Sequence, residues 1–565
     1  MRHAFAFLLI ATACGSAQND KRPVKDVPPA DLVIAGSSSS IRTMDPEHPK
    51  VEAIAIRAGV IEAVGSCSEL EVRLGPETQV VRLVGDQQAL PGLADAHAHL
   101  YGLGKALESV DLRGVSSEQA AAQEIAKAAS VVPQSTWITG RGWDQNRWSP
   151  AEFPKAATLD QVIASHPVAV RRIDGHARWA NSRAIELAGI RADTPDPAGG
   201  KIIRDSKGNA TGVFIDTAID LVESKIPAAD RGAIERRIRA AATHVNALGL
   251  TAVHDMGISL ETAEVYQKLA DANELPIRVY GLLGYEKGLE DRLPPATTQP
   301  GLFELRAVKM FADGALGSRG AALLSPYSDA PKERGLVITD TAELTRVGTL
   351  LAARGYQLAV HAIGDRGNRM TLDAFEATTK QSKNQDLRFR VEHAQVLDEA
   401  DIPRFAELGA IASMQPTHAT SDMPWAQARL GADRIRGSYA WRRLLDSKAV
   451  LAFGSDFPVE KPSPLLGIYA AVTRQSEAGS PEGGWHPDQK LELDEAIALF
   501  TSAPAFAAFG ENHRGSIRPG MAADISVFDA PLTADRRLLE RRATTTIVDG
   551  RIVYRSNDAS ISTGQ

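Results

Sequence analysis

Between residues 90 and 456 the chain alternates short apolar runs with longer helix-like stretches, and this alternation limits the folds open to it. Eight runs read as strands that end in polar residues: Leu90–Leu100 with His97 and His99, Thr251–Asp255, Ile277–Gly281, Ala307–Phe311, Leu358–His361, Arg390–His393, Ala410–Met414 and Leu451–Asp456. Strands separated by helices pair in parallel, because a parallel pair needs a long crossover connection. Eight such units predict an α/β protein centred on a (β/α)8 barrel, whose active site lies at the C-terminal ends of its strands. The interval between the first two runs is too long for one helix. An insertion over about 102–240 is therefore expected, with strand-like pieces of its own at Thr136–Gly140 and Val168–Ile173.

The strand ends carry the chemistry. Side chains two apart on a strand share a face, so His97 and His99 converge on one point. Lys309, His361, His393 and Asp456 also stand at C-terminal strand ends, which brings six groups to one mouth. Convergent imidazoles and a carboxylate suit a divalent cation. Lys309 needs its own reading, because an ammonium repels cations. Once neutral, its amine can add carbon dioxide and become a carbamate, a carboxylate-like bridge between two metals. The alternative is a lysine paired with Asp313 or Asp365, with a single metal held by the histidines and Asp456. A divalent metal would supply an activated water. Asp456 is read as the base that takes its proton and passes it to a departing nitrogen. His361 and His393 are read either as ligands or as groups just outside the metal shell that steady an oxyanion.

Both ends of the chain are rich in short strands. Residues 30–88 read as a small antiparallel sheet, and the same texture returns over 506–556, so the two ends can build one domain around a hydrolase region over 89–505. Residues 557–565 form a tail. At the start, Arg2 precedes an apolar stretch, Ala4–Ala13, that is too short to cross a bilayer and ends at Cys14. This reads as an export signal over 1–29 with a flexible tether. Cleavage before Cys14 gives a lipid-anchored protein on the periplasmic face, and cleavage near Ala13 or Ala17 gives a simple secreted one. With 24% charged residues and a net charge of -7, the chain has no basic field for nucleic acid. The partner expected is a small-molecule substrate.

The motifs at Leu90–His99, Lys309–Arg319, His361–Arg366, Glu392–Gln395 and Gly454–Pro458 make the sequence similar to the amidohydrolase superfamily of metal-dependent hydrolases. It most closely resembles the YtcJ-like branch, which includes N-substituted formamide deformylases, and the resemblance runs from about Ala30 to Tyr554. It implies a (β/α)8 barrel, a β-sandwich formed by both chain ends, and one or two divalent metals, usually zinc. It also implies that His97, His99, Lys309, His361 and His393 are ligands, with Asp456 both ligand and base. The activity implied is hydrolysis of a non-peptide C–N bond in an amide, N-formyl or N-acyl group. A deaminase of a heterocyclic amine and a metal-containing lipoprotein that only binds a ligand are the alternatives. Trp143, Asp144, His176, Arg319, His418 and Trp425 are candidate substrate contacts, and the tryptophans read equally well as packing for the insertion.

Overall fold

The computed structural model describes residues 27–38, 40–383 and 386–557. The expected leader with Cys14 lies outside them. Eight strands form one parallel sheet in chain order: Leu93–Ala98 (β1), Leu250–Ile258 (β2), Arg278–Gly284 (β3), Phe303–Phe311 (β4), Gln357–Ala362 (β5), Arg390–His393 (β6), Ile411–Met414 (β7) and Val450–Phe453 (β8). Most of their residues are buried, as strands covered on both faces must be. The sheet curls into a nearly closed barrel. Beyond the end of β8, Asp456 N donates to His97 O at 2.7 Å and His99 N donates to Phe457 O at 2.8 Å, which joins that end to β1. Gly454 permits this approach, since a Cβ there would lie 2.4 Å from His97 N.

Two local readings are corrected. The run Leu90–Leu100 is two strands: Gln88–Pro91 pairs with Ile525–Phe528, and only Leu93–Ala98 enters the barrel. The break falls at Gly92, where a Cβ would collide with the Thr251 side chain at 2.1 Å. Asp456 stands three residues past the end of β8 in left-handed backbone, φ 62°, so a turn and not the strand aims its carboxylate.

Strands from both chain ends build two further sheets. One runs in the order Val60–Gly65, Ala53–Arg57, Leu32–Ala35, Gln79–Arg82. It is mixed and not antiparallel as expected, because the short helical turns over 67–73 carry the chain across and bring Gln79–Arg82 in parallel to Leu32–Ala35. The other includes Ile41–Arg42 and Gln88–Pro91 beside Ile525–Phe528, Ala543–Val548 and Arg551–Arg555. Alternate residues of the two sheets share one apolar cluster, with Leu32, Ile34, Ile54 and Ile56 packed among Ile525, Val527 and Ile547. The barrel is tied to this layer by buried charge. Arg278 of β3 donates from Nε and Nη2 to the two oxygens of Asp524 at 2.9 and 3.0 Å.

Residues 102–237 form a second compact unit around a six-stranded sheet. Its core holds three indoles, Trp143, Trp148 and Trp179, with ring centroids 6.1–6.5 Å apart.

Candidate metal centre

Asp95, His97 and His99 lie at alternate positions along and just past β1, and each has a separate task. The Asp95 carboxylate accepts bonds from His97 N at 3.0 Å, Ser455 N at 3.1 Å and Ser455 Oγ at 2.6 Å. It thereby fixes β1 against the segment that bears Asp456. Burial pushes its pKa up to about 7, against the pull of these donors.

Three imidazoles are set by acceptors behind them. His97 Nδ1 meets Glu392 Oε2 at 2.6 Å, His99 Nδ1 meets Met256 O at 3.0 Å, and His393 Nδ1 meets Gln415 Oε1 at 2.7 Å. Each partner atom can only accept, so each Nδ1 carries a proton, and Nε2 keeps its lone pair in whichever of these rings is neutral. Burial, and then the charge of Lys309, lower the pKa of His97 to about 4. Burial and the neighbouring rings take His393 well below its ordinary value. Both rings are therefore neutral at neutral pH.

The lone pairs face a carboxylate. Asp456 Oδ1 lies 3.5 Å from His97 Nε2 and 3.2 Å from His99 Nε2. Burial opposes the charge of Asp456, but the hydrogen bond with His99, and then the charges that His97 and His418 would carry, outweigh it and hold its carboxyl well below the usual range. His99 responds in the other sense: burial lowers its pKa, the Asp456 carboxylate raises it, and the net direction is up. An electron pair turned toward a carboxylate oxygen repels it unless a proton, as the raised pKa of His99 allows there, or a metal cation lies between them. Ligand atoms of His97, His393 and Asp456 all fall within 4.8 Å of one another, so the donor set fits a divalent metal.

Lys309 and His361 flank this cluster. Lys309 is 2% exposed and makes no ion pair among the described residues. Burial lowers its pKa to about 8. The carboxylates weighed as its partners are engaged elsewhere. Asp313 accepts from the backbone N–H groups of Ala322, Ile363 and Gly364, and Asp365 from those of Leu324 and Arg366. The His361 ring sits 4.5 Å from that of His393, with its Nε2 toward Gly314 O at 3.5 Å. Burial and then Lys309 depress its pKa to about 3.

The candidate substrate contacts separate. His418 stands at the cluster, its ring stacked on His393 with centroids 5.8 Å apart. Trp425 packs beside Gly317, where a Cβ would lie 3.2 Å from its ring. Arg319 is engaged by Asp329, which also takes Arg429. Trp143 is a correction: it is wholly buried in the core of the second unit and donates its indole N–H to Val170 O at 2.9 Å, so neither its face nor its donor remains for a substrate. In the same unit Asp144 pairs with Arg172 at 2.8 Å, and the exposed His176 pairs with Asp216 at 2.8 Å.

Residues without a role assigned from sequence complete the site. Glu392, the partner of His97, is held by Arg390 Nε at 2.7 Å. Arg390 is fully buried and donates also to His254 Nδ1, Ala96 O and Ser413 Oγ. The signal was an Arg-x-Glu pair inside an apolar strand, since residues two apart share a face and two opposite charges there imply mutual pairing. Glu392→Gln, which keeps shape but removes the charge behind His97, is expected to weaken divalent-metal affinity by about 10–100-fold. Competition against a chromogenic chelator measures it.

Among known proteins, residues 86–554 match the amidohydrolase family. The chain is 34% identical to YtcJ of Bacillus subtilis (strain 168) over 525 residues, which cover 91% of this chain and 98% of that one. It is 28% identical to an N-substituted formamide deformylase of Arthrobacter pascens over 549 residues, covering 93% of this chain and 98% of that one. The crystal structure of an uncharacterized metal-dependent hydrolase from Pyrococcus horikoshii OT3 matches with a TM-score of 0.74 at 27% identity, covering 88% of this chain and 97% of that one.

Proposed function

The chain belongs to the amidohydrolase family, and from that premise we propose that it hydrolyses a non-peptide C–N bond of the N-formyl or N-acyl amide type. The observation that carries the reading is the set of imidazole lone pairs turned toward the Asp456 carboxylate. A relative named for formamide deformylation supports the choice of bond.

His97, His99, His393 and Asp456 are the residues that would hold the metal, and zinc suits their nitrogen and oxygen donors. When bound, such a metal polarises a carbonyl and lowers the pKa of water from about 15.7 toward 7. The protein's own part is proton transfer and orientation. Asp456 directs Oδ1 at the strand-one histidines, while its Oδ2 accepts no hydrogen bond among the described residues. This second oxygen takes the proton of the attacking water and returns it to the nitrogen that leaves. The buried rings stay neutral and keep their lone pairs throughout.

We propose further that Lys309 is carboxylated. A buried amine with its pKa near 8 and no ion pair among the described residues is neutral in about one tenth of the molecules at pH 7, although Glu392 and Asp456 favour its charge. Nζ then bonds to the carbon of carbon dioxide and releases one proton, leaving a carbamate that offers two oxygens to metal. The third proposal is export with lipidation at Cys14, supported by the apolar leader.

Asp456→Asn is expected to keep the fold and lower turnover by about 10²-fold or more, as loss of a general base does. Steady-state assays on N-formyl and N-acyl amides measure it, and release of ammonia from a heterocyclic amine instead would favour a deaminase. Lys309→Arg, which stays charged, should lower metal content and activity together, while Lys309→Glu retains part of both. Elemental analysis read beside the intact mass of the wild type checks this. Cys14→Ser should release the protein from membranes, which fractionation of cells will show.

A further inference from the structure

His418 is not needed to explain the metal-ligand cluster, yet its position is demanding. It lies in the helix Pro416–Asp422, which follows β7 after a single residue, Gln415. Gln415 spends its carbonyl on His393 and its amide on Ser413 O. His418 Nε2 is buried and has no hydrogen-bond partner among the described residues. Leaving such a group unpaired in a buried place costs free energy. Asp456 Oδ2 lies 3.7 Å from this nitrogen, beyond hydrogen-bond reach. Asp456 therefore divides its two oxygens, Oδ1 toward the strand-one histidines and Oδ2 toward His418.

We propose that His418 is a further catalytic residue, which donates from Nε2 to the carbonyl oxygen of the amide as that oxygen becomes an oxyanion. The inference rests on the amide-hydrolase reading above and assigns the reacting group's contacts within it. An unpaired nitrogen and an unpaired carboxylate oxygen 3.7 Å apart face the same space. An amide places an oxygen and a nitrogen on one carbon, at bonds of about 1.23 and 1.33 Å. The oxygen then meets His418 and the nitrogen meets Asp456. The stacked His393 ring, 16° from parallel to His418, sets the plane in which Nε2 points. A donor aimed where charge develops acts mainly on the transition state.

The test compares wild type, His418→Ala and His418→Asn, each loaded with zinc and checked for metal content and folding. Two readouts are taken: kcat and KM on formanilide, and affinity for methylphosphonate, a tetrahedral anion, by calorimetry. His418→Ala should lose about 10²–10³-fold in kcat with little change in KM. It should also bind methylphosphonate at least tenfold more weakly, with metal content unchanged. His418→Asn, which keeps a donor, should recover part of both losses. Equal methylphosphonate affinity in wild type and His418→Ala at equal metal content overturns the proposal, as does a loss of metal in His418→Ala, which would make His418 a ligand. If the wild type turns over no N-formyl or N-acyl amide, the amide-hydrolase reading fails, and the methylphosphonate comparison still decides whether His418 contacts an oxyanion.

Discussion

The contact between Glu392 and His97 is the interaction on which the rest of the site depends. A carboxylate 2.6 Å behind Nδ1 places the ring proton on Nδ1, and the lone pair on Nε2 then has only one direction to face. Glu392 keeps its charge in a fully buried place because Arg390 lies beside it, and Arg390 in turn spans the barrel interior to Ala96, His254 and Ser413. Breaking a buried pair of this kind costs about 3–5 kcal/mol, so the network fixes ring orientation and barrel shape together. Met256 O and Gln415 Oε1 repeat the arrangement behind His99 and His393 with neutral acceptors.

Closure of the barrel is bound to the same chemistry. The last bonds of the seam run through His97 and Asp456 themselves, and the Asp95 carboxylate grips both segments. Two site residues pay for this in backbone strain, His393 at φ 75° and Asp456 at φ 62°, a region that non-glycine residues rarely occupy. Strain of this kind persists only where surrounding contacts over-determine it. Here those contacts are the hydrogen bonds that hold the ligands.

Much of the barrel was legible because its strands are buried on both faces and end in polar residues, a pattern that survives without any knowledge of partners. Lys309, His361 and His393 could be placed for that reason. Asp456 was recognised as a site residue, but its turn was not, since a positive φ leaves no mark in an Asp-Phe-Pro sequence. Glu392 and Gln415 lacked assigned roles because their meaning comes from register: Glu392 reaches His97 across 295 positions of chain. Trp143 illustrates the opposite limit, as an aromatic and polar stretch reads alike whether it lines a cleft or fills a core. The mixed pairing in the N-terminal sheet was hidden because strand texture does not distinguish a hairpin from a crossover.

The central claim is that His97, His99 and His393 turn their Nε2 atoms toward one cation beside Asp456. A crystal structure of the zinc-loaded protein, with anomalous data collected at the zinc edge, tests it most directly. The account predicts an anomalous peak bonded to Nε2 of these rings and to an Asp456 oxygen, with Glu392 still against Nδ1 of His97. A zinc-loaded crystal with no peak at that position, or with zinc bound through Nδ1 of His97, would contradict it.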